Sequence, residues 1–164
     1  MPEGRLFARL RALAEGGIEF IVVGGLAGVL NGAPVHTYDL DVVYSREPAN
    51  LDRLLNVLPK LDAIFRIQPE RRLRRNISHL SGSGHLNLQT RYGPVDLLAT
   101  IGSNLGYADL LSHSNEMEIG AGIRVRVLDL ETLITIKEQL ASDKDLAALP
   151  ILRQTLRELK KRQS

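Results

Sequence analysis

Two short stretches of the sequence decide its fold: Val23-Gly24-Gly25-Leu26-Ala27 and, a little further along, Thr37-Tyr38-Asp39-Leu40-Asp41-Val42-Val43. Residues 20–23 form a short apolar run that ends on a glycine pair, which predicts a strand followed by a tight turn. Residues 39–44 are expected to form a second strand, in which Leu40 and Val42 face the core. Because residues i and i+2 of a strand point to the same face about 6.6 Å apart, Asp39 and Asp41 are predicted to project side by side.

Paired carboxylates of this kind predict a cation. At 4 Å and an effective dielectric constant of about 20, their repulsion is about 4 kcal/mol, and Mg²⁺ is commonly held by one or two carboxylates, waters and phosphate oxygens. Asp96 is a third carboxylate, within the otherwise apolar Pro94-Val95-Asp96-Leu97-Leu98. If its strand lies beside residues 39–44, the three could hold two metal ions about 4 Å apart. Gly24-Gly25 could offer backbone N–H groups to phosphate oxygens, so we expect a site for metal and nucleotide.

Each part of this pattern also has an ordinary structural explanation. A glycine pair after a strand can be only a turn, an Asp-x-Asp strand can be an exposed edge, and Asp96 can be a satisfied polar residue near a hairpin. A dinucleotide site is a weaker alternative, since its fingerprint requires Gly-x-Gly-x-x-Gly and Gly24-Gly25-Leu26-Ala27-Gly28 has the wrong spacing. The four histidines lack metal-ligand spacing, and we expect surface or structural roles for His36, His79, His85 and His113.

Composition narrows the class of protein. The chain has 164 residues, of which 44% are hydrophobic and 24% charged, a balance typical of one globular domain. There is no cysteine, which excludes disulfides, thiolate catalysis and Cys-type zinc sites. The longest apolar run, residues 20–30, is too short to cross a bilayer, so we expect a cytoplasmic protein without membrane contact.

The charge is small overall but unevenly distributed. A net charge of +2 does not by itself indicate nucleic-acid binding. Basic residues nevertheless crowd one short stretch and the end of the chain: Arg66, Arg71, Arg72, Arg74 and Arg75, and then Arg157, Lys160, Lys161 and Arg162. Arg71, Arg72, Arg74 and Arg75 could hold an RNA backbone, or either basic run could be a solvated surface.

The order of predicted elements indicates an α+β fold, with a mixed β-sheet flanked by helices and a C-terminal helical segment. We expect one domain over residues 1–164, with a core of about 1–128 and a helical segment of about 129–164. The elements behind this prediction are a first helix over 3–15, a helix capped by Asn50, a hairpin joining 86–90 to 95–98, a second hairpin joining 117–119 to 123–128, a helix capped by Asp129 and a last helix beginning near Pro150.

Several motifs, taken together, resemble a known superfamily. Gly24-Gly25, then Gly32 and Thr37-x-Asp39-Leu40-Asp41, is similar to the first two motifs of DNA polymerase β-type nucleotidyltransferases, especially the small bacterial group related to AbiEii-type toxins. Pro94-Val95-Asp96-Leu97-Leu98 is similar to the strand with the third carboxylate. Leu130-Glu131-Thr132-Leu133-Ile134-Thr135-Ile136-Lys137, then Lys144-Asp145, resembles the helical segment in which a Lys and a later Asp approach the nucleotide. The resemblance covers roughly residues 18–150.

The resemblance implies an enzyme that moves a nucleoside monophosphate from an NTP, such as ATP, to a hydroxyl of an RNA (tRNA included) or protein acceptor. It also implies a role as the toxin of a toxin–antitoxin system, with a cognate antitoxin as partner. Asp39, Asp41 and Asp96 would be catalytic and would bind Mg²⁺ or Mn²⁺. The implied nucleotide-binding residues are Gly24, Gly25, Thr37, Lys137, Lys144 and Asp145.

The sequence departs from the family pattern at three places. Many relatives have Gly-Ser where this chain has Gly24-Gly25, and an Arg often found two residues before the Thr is replaced by Val35. The Arg expected between the Lys and the Lys-Asp pair is absent from Ala141-Ser142-Asp143. These losses leave an alternative open, a non-catalytic module with the same fold that binds nucleotide or a partner.

Overall fold

A mixed sheet of seven strands forms the centre of the computed structural model, which describes residues 4–65 and 84–163. The strands run in the spatial order β3-β4-β5-β2-β1-β9-β8, and β6 and β7 form a separate small hairpin. Their bounds are β1 Phe20–Val23, β2 Leu40–Tyr44, β3 Ile64–Phe65, β4 Leu86–Thr90, β5 Gly93–Leu98, β6 Thr100–Ile101, β7 Leu105–Gly106, β8 Ser114–Gly120 and β9 Ile123–Leu128.

The pairing of the central strands places the two decisive sequence stretches side by side. β1 is antiparallel to β2, and β2 is parallel to β5. In this register Val23 pairs with Asp41, and Asp41 pairs with Asp96. The end of β1, the start of β2 and the middle of β5 therefore lie side by side, and the side chains of Asp41 and Asp96 share one face of the sheet because paired residues point the same way.

Helices cover this sheet. They are α1 Arg5–Glu15, α2 Gly24–Leu30, α3 Pro48–Lys60, α4 Tyr107–Leu110, α5 Leu130–Leu140 and α6 Asp143–Gln163, with a 3₁₀ turn at Leu111–His113. The cap predicted at Asp129 is confirmed, since its Oδ1 accepts the N–H of Thr132 at 2.7 Å. α5 packs on both α2 and α6, so the C-terminal helices stand next to the glycine pair that opens α2.

The core is aliphatic, as the low aromatic content requires. Every residue of β1 is buried, and the leucines of α1, α3 and α5 cover the sheet. Phe20 and Tyr44 are the buried aromatic residues of the described ranges, and the hydroxyl of Tyr44 donates to the carbonyl of Gly84 at 2.9 Å. The predicted fold class, α+β with a mixed sheet and a C-terminal helical segment, is confirmed.

Two predicted helix starts are wrong. α3 begins at Pro48, ahead of Asn50, because Asn50 is used differently: its buried side chain accepts the N–H of Glu19 at 2.7 Å and donates to the carbonyl of Ser45 at 2.7 Å. α6 begins at Asp143 and runs through Pro150. Its cap is Ser142, whose Oγ accepts the N–H of Asp145 at 3.1 Å, so the proline that suggested a start lies inside the helix.

The arginine-rich stretch, with Arg66, Arg71, Arg72, Arg74 and Arg75, lies outside the described residues, and so does His79. The hairpin predicted to join residues 86–90 to 95–98 is present, but its turn is Arg91-Tyr92 alone, because Gly93 and Pro94 already belong to β5. Among the helices of the described ranges, none combines the length and the apolarity needed to span a membrane.

Candidate active site

The glycine pair lies where β1 ends and α2 begins. Gly24 has a φ of +65°, a conformation that side-chain-bearing residues rarely adopt. A Cβ at Gly24 would lie 2.7 Å from Asp41 Oδ2, and a Cβ at Gly25 would lie 3.3 Å from Thr37 Oγ1. The backbone of the turn therefore lies directly against Asp41 and Thr37, at a distance that a larger residue at position 24 would not permit.

Asp41 and Asp96 form a carboxyl pair on neighbouring strands. They are opposite each other in the β2–β5 register, and their side chains are hydrogen-bonded. Burial, this hydrogen bond and the negative charges of Asp96 and Asp39 raise the pKa of Asp41 to about 7, against a weaker opposing effect of Lys144. In the protein alone, the pair can therefore hold a proton near neutral pH.

Asp39 lies just outside the strand predicted for it. β2 begins at Leu40, and the N–H of Asp39 donates instead to Thr37 Oγ1 at 3.3 Å, so the backbone turns before the ladder starts. Asp39 is exposed, but its charge acts on Asp41. Thr37 thus contacts both the glycine turn and the segment that leads into the carboxyl pair.

The acidic residues suit a divalent cation, although their arrangement is not a complete metal site. Within residues 4–65 and 84–163, no group of three or more histidine, aspartate or glutamate side chains is arranged to hold a metal ion. The donor chemistry nevertheless fits Mg²⁺, because Asp41 and Asp96 are adjacent carboxyls whose mutual repulsion a cation would relieve. The bare Gly24 backbone beside Asp41 Oδ2 leaves room that a Cβ would fill.

α5 and α6 bring the C-terminal residues singled out in the sequence to the same place. Lys137 Nζ is 3.2 Å from Asp145 Oδ1, and the two side chains are only 15% and 17% exposed. Ser142 Oγ donates to Asp145 Oδ2 at 2.5 Å, and this hydrogen bond, with the hydrogen bond and charge of Lys137, lowers the pKa of Asp145. Lys144 is exposed on the first turn of α6 and acts electrostatically on Asp41.

A cleft of about 530 Å³ joins these features. Of the site residues predicted from the sequence, all but Asp96 line it, and Asp96 adjoins it through its hydrogen bond to Asp41. The rest of the wall is mostly aliphatic and was not predicted. It consists of Val23, Val35, Leu98, Ile101, Leu133, Ile136, Leu140, Ala148 and Leu152, together with Gly28, His36 and Tyr38.

Sequence reasoning also missed Arg9, the buried basic residue of α1. Arg9 is only 4% exposed, and its Nη1 donates to the carbonyl of Tyr38 at 3.1 Å and to that of Pro94 at 2.5 Å. A signal was present in the sequence. Arg9 follows Leu6 by three residues and precedes Leu13 by four, so it lies on the helix face that these leucines bury.

Comparison with known proteins gives likenesses of fold. No family model matches the sequence, and no curated protein matches it either. A protein of Thermotoga maritima assigned as a nucleotidyltransferase has a TM-score of 0.56, with 17% identity over 93% of this chain and 92% of that chain. The antibiotic-resistance factor ANT(2'')-Ia has a TM-score of 0.58, with 15% identity over 92% and 82% of the two chains.

A third solved structure is similar over nearly its whole length. The lincosamide antibiotic adenylyltransferase LnuA, in its lincomycin-bound form, has a TM-score of 0.61, with 12% identity over 92% of this chain and 96% of that chain. The narrower resemblance to AbiEii-type toxins stays a prediction. At these identities the likeness concerns architecture, and the chain has the fold of nucleotidyltransferases.

Proposed function

We propose that this protein is a Mg²⁺-dependent nucleotidyltransferase, which moves a nucleoside monophosphate from an NTP to an acceptor hydroxyl and releases pyrophosphate. One observation carries the proposal: Gly24, at a positive φ, lies against Asp41, and Asp41 is hydrogen-bonded to Asp96, inside a cleft large enough for a nucleotide. The backbone of the turn, the paired carboxyls and the cleft are together suited to binding a phosphate-bearing substrate with its metal ion.

The paired Asp41 and Asp96 would hold the metal ion, with the exposed Asp39 as the third carboxylate that the resemblance implies. When bound, the ion would neutralise triphosphate charge and polarise a phosphoryl oxygen. Asp96 would accept the proton of the acceptor hydroxyl. The acceptor oxygen then bonds to the α-phosphorus of the NTP while the bond from that phosphorus to the bridging oxygen breaks, so that pyrophosphate leaves. Gly24 and Gly25 would let the triphosphate approach the backbone without steric interference.

The C-terminal helices would bind the rest of the nucleotide. Lys137 lies in the cleft wall and is held there by Asp145, so its ammonium is placed to neutralise charge on the leaving pyrophosphate or to contact the nucleotide. Lys144 offers a second, exposed cation near Asp41. The aliphatic side chains of α5 and α6 suit the apolar faces of a nucleobase.

The proposed acceptor is a hydroxyl group. The resemblance to toxin-type enzymes favours a hydroxyl of RNA or of a protein side chain, with a cognate antitoxin as partner and a cytoplasmic setting. ANT(2'')-Ia and LnuA carry names that refer to antibiotics, so a small-molecule hydroxyl belongs among the acceptors to be assayed. A co-directional small neighbouring gene would favour the toxin role.

Isothermal titration with each NTP, with and without Mg²⁺, together with a product assay, tests the proposal. We expect Mg²⁺-dependent binding of at least one NTP, and release of pyrophosphate when RNA, protein or small-molecule acceptors are added. Absence of binding to every NTP in the presence of Mg²⁺ would contradict the proposed function.

A non-catalytic binding module is the second candidate, and one observation favours it. Lys137 is already paired with Asp145 in the protein alone, and the family's two additional arginine positions are not basic here. Such a protein would bind nucleotide or a partner through the same cleft. Binding of an NTP without turnover on any acceptor would support this candidate over the enzyme.

A further inference from the structure

Arg9 is a buried cation whose guanidinium donates hydrogen bonds to three backbone carbonyls. It belongs to α1, is 4% exposed, and does not line the cleft. Burial lowers the pKa of Arg9, while the charge of Asp39 acts in the opposite direction. A guanidinium stays charged in proteins, and placing such a charge in a core is unfavourable unless its donors are satisfied. Its partners therefore indicate what the charge does.

One nitrogen of Arg9 joins the two backbone segments that carry the carboxyl pair. The two hydrogens of Nη1 are donated to the carbonyls of Tyr38 and Pro94, at 3.1 and 2.5 Å. Tyr38 lies three residues before Asp41, and Pro94 lies two residues before Asp96. Nε donates to the carbonyl of Arg5 at 3.2 Å, which fixes the guanidinium to its own helix.

The backbone of β5 is adapted to this side chain. Gly93, the first residue of the strand, has a φ of +124°, and a Cβ there would lie 3.1 Å from Arg9 Cζ and 3.3 Å from Nε. The guanidinium therefore occupies space that a larger residue at position 93 would restrict. This close approach is independent of the two hydrogen bonds and places the group at the same strand start.

We propose that Arg9 is a positioning residue, which ties the segment before β2 to the start of β5 and so sets the alignment of Asp41 with Asp96. Its effect on chemistry rests on the proposed function. Its effect on the backbone does not, because the hydrogen bonds to Tyr38 and Pro94 would hold these segments whatever the cleft binds. An error of about 1 Å in placing reacting groups can cost roughly 100-fold in rate.

Four full-length variants test the proposal. Arg9→Met keeps the length and apolar stem but removes all donors, and Arg9→Lys restores one nitrogen able to donate to both carbonyls. Arg9→Gln keeps a two-hydrogen nitrogen without charge. Arg11→Met is the matched control, since Arg11 is on the same helix but its side chain is 41% exposed and forms an ion pair with Glu15. Each is studied well below its melting temperature, by Mg²⁺–ATP titration and by amide hydrogen exchange.

We expect Arg9→Met to weaken Mg²⁺–ATP binding by at least about tenfold and Arg9→Lys to recover most of it. Amide exchange should accelerate in Arg9→Met at residues 38–41 and 93–96, but not in α6, while Arg11→Met changes neither property. If Arg9→Met does not fold, Arg9→Gln takes its place under the same criteria.

The proposal is overturned if the folded variant melts at a lower temperature yet binds Mg²⁺–ATP as the wild type does, or if its exchange rises uniformly along the chain. Either result would mean that Arg9 only stabilises the fold. If the wild type itself binds no nucleotide, the proposed function fails while the exchange measurement still decides the role of Arg9. Local acceleration at the two strand starts would then support it, and unchanged exchange there would refute it.

Discussion

Asp41 is the residue on which the proposed chemistry depends most, because it contacts the glycine turn and Asp96 and faces the cleft. We expect Asp41→Asn to abolish Mg²⁺-dependent NTP binding and to lower activity at least about 100-fold, since it removes a charge on which metal and triphosphate depend. Asp39→Asn should have the same direction of effect. Isothermal titration and the product assay measure both, with the exposed Asp52 of α3, changed to Asn, as control. Unchanged Mg²⁺ dependence in both active-site variants would refute the assignment.

The same carboxyl predicts a pH dependence. Its pKa of about 7 in the folded protein lies above the ordinary value of 3.8, so folding favours the protonated form. This stabilising contribution is complete below about pH 4 and is lost as the pH rises through about 7. We expect the melting temperature of Asp41→Asn to rise relative to that of the wild type between about pH 5 and pH 8. Thermal melts of both proteins check this.

Mg²⁺ should act in the opposite direction, because the cation binds the ionised carboxylate. The affinity of the wild type for Mg²⁺ should therefore increase as the pH rises through about 7. Thermal melts with and without Mg²⁺ measure this affinity as the increase in melting temperature that Mg²⁺ causes. This increase should grow with pH in the wild type and be absent in Asp41→Asn. Equal stabilisation at about pH 5 and pH 8 would contradict the shifted pKa.

Sequence reasoning singled out residues whose chemistry is unusual for their place, and it missed a residue whose contacts come from distant parts of the chain. Gly24, Asp41 and Asp96, which the structure brings together, were singled out because glycine at a strand end and carboxylates among apolar residues are locally conspicuous. Arg9 was not, since its partners Tyr38 and Pro94 are brought to α1 only by the folded sheet. Its place on the buried helix face was a signal, but it could not name the partners.

The turn between β1 and α2 gives a prediction at the scale of an element. In Gly24→Ala, the alanine would have to adopt a positive φ, and its Cβ would lie 2.7 Å from Asp41 Oδ2. Asp41 or the turn must therefore move. Gly122, in the β8–β9 turn, is a matched control: its φ is +73°, but a Cβ there meets nothing within 4 Å. We expect both Ala variants to lose about 1–2 kcal/mol of unfolding free energy, and only Gly24→Ala to lose NTP binding.

Denaturant unfolding and nucleotide titration separate these two effects. Should Gly24→Ala bind Mg²⁺–NTP as tightly as Gly122→Ala does, the close approach to Asp41 has no role in binding.

Helix boundaries show why local signals mislead at the scale of elements. Pro150 suggested a helix start, because proline is favoured in the first turn. The chain uses Ser142 instead, whose hydroxyl both caps α6 and donates to Asp145. That choice matters for the site, because it places Lys144 and Asp145 in the first turn of α6, facing the cleft. Asn50 misled for a similar reason, as its side chain binds Glu19 and Ser45 rather than its own helix.

At the scale of the whole molecule, the sheet order converts separate motifs into one site. β1, β2 and β5 are consecutive neighbours only because β5 adds to β2 in parallel, far along the chain. The sequence indicated this arrangement by the shared pattern of a carboxylate in an apolar strand. The short β6–β7 hairpin was not predicted, and neither was the aliphatic wall, which depends on how α5 packs onto α2 and α6.

The acceptor is also decided at this scale, and the arginine cluster of residues 71, 72, 74 and 75 is the segment to test. Guanidinium groups form bidentate hydrogen bonds with phosphates, and such contacts make nucleic-acid binding salt-dependent. If the acceptor is RNA, changing Arg71, Arg72, Arg74 and Arg75 to Glu should abolish RNA binding. The decrease in RNA affinity between about 50 and 200 mM salt should disappear with it, while NTP binding at the aspartates persists. Reversal of Arg157, Lys160, Lys161 and Arg162 at the end of α6 makes an equal change of net charge, so it serves as the control. If the first variant binds RNA normally and the second variant does not, the RNA-binding site lies on α6. If both variants bind RNA normally, neither basic cluster is the RNA-binding site.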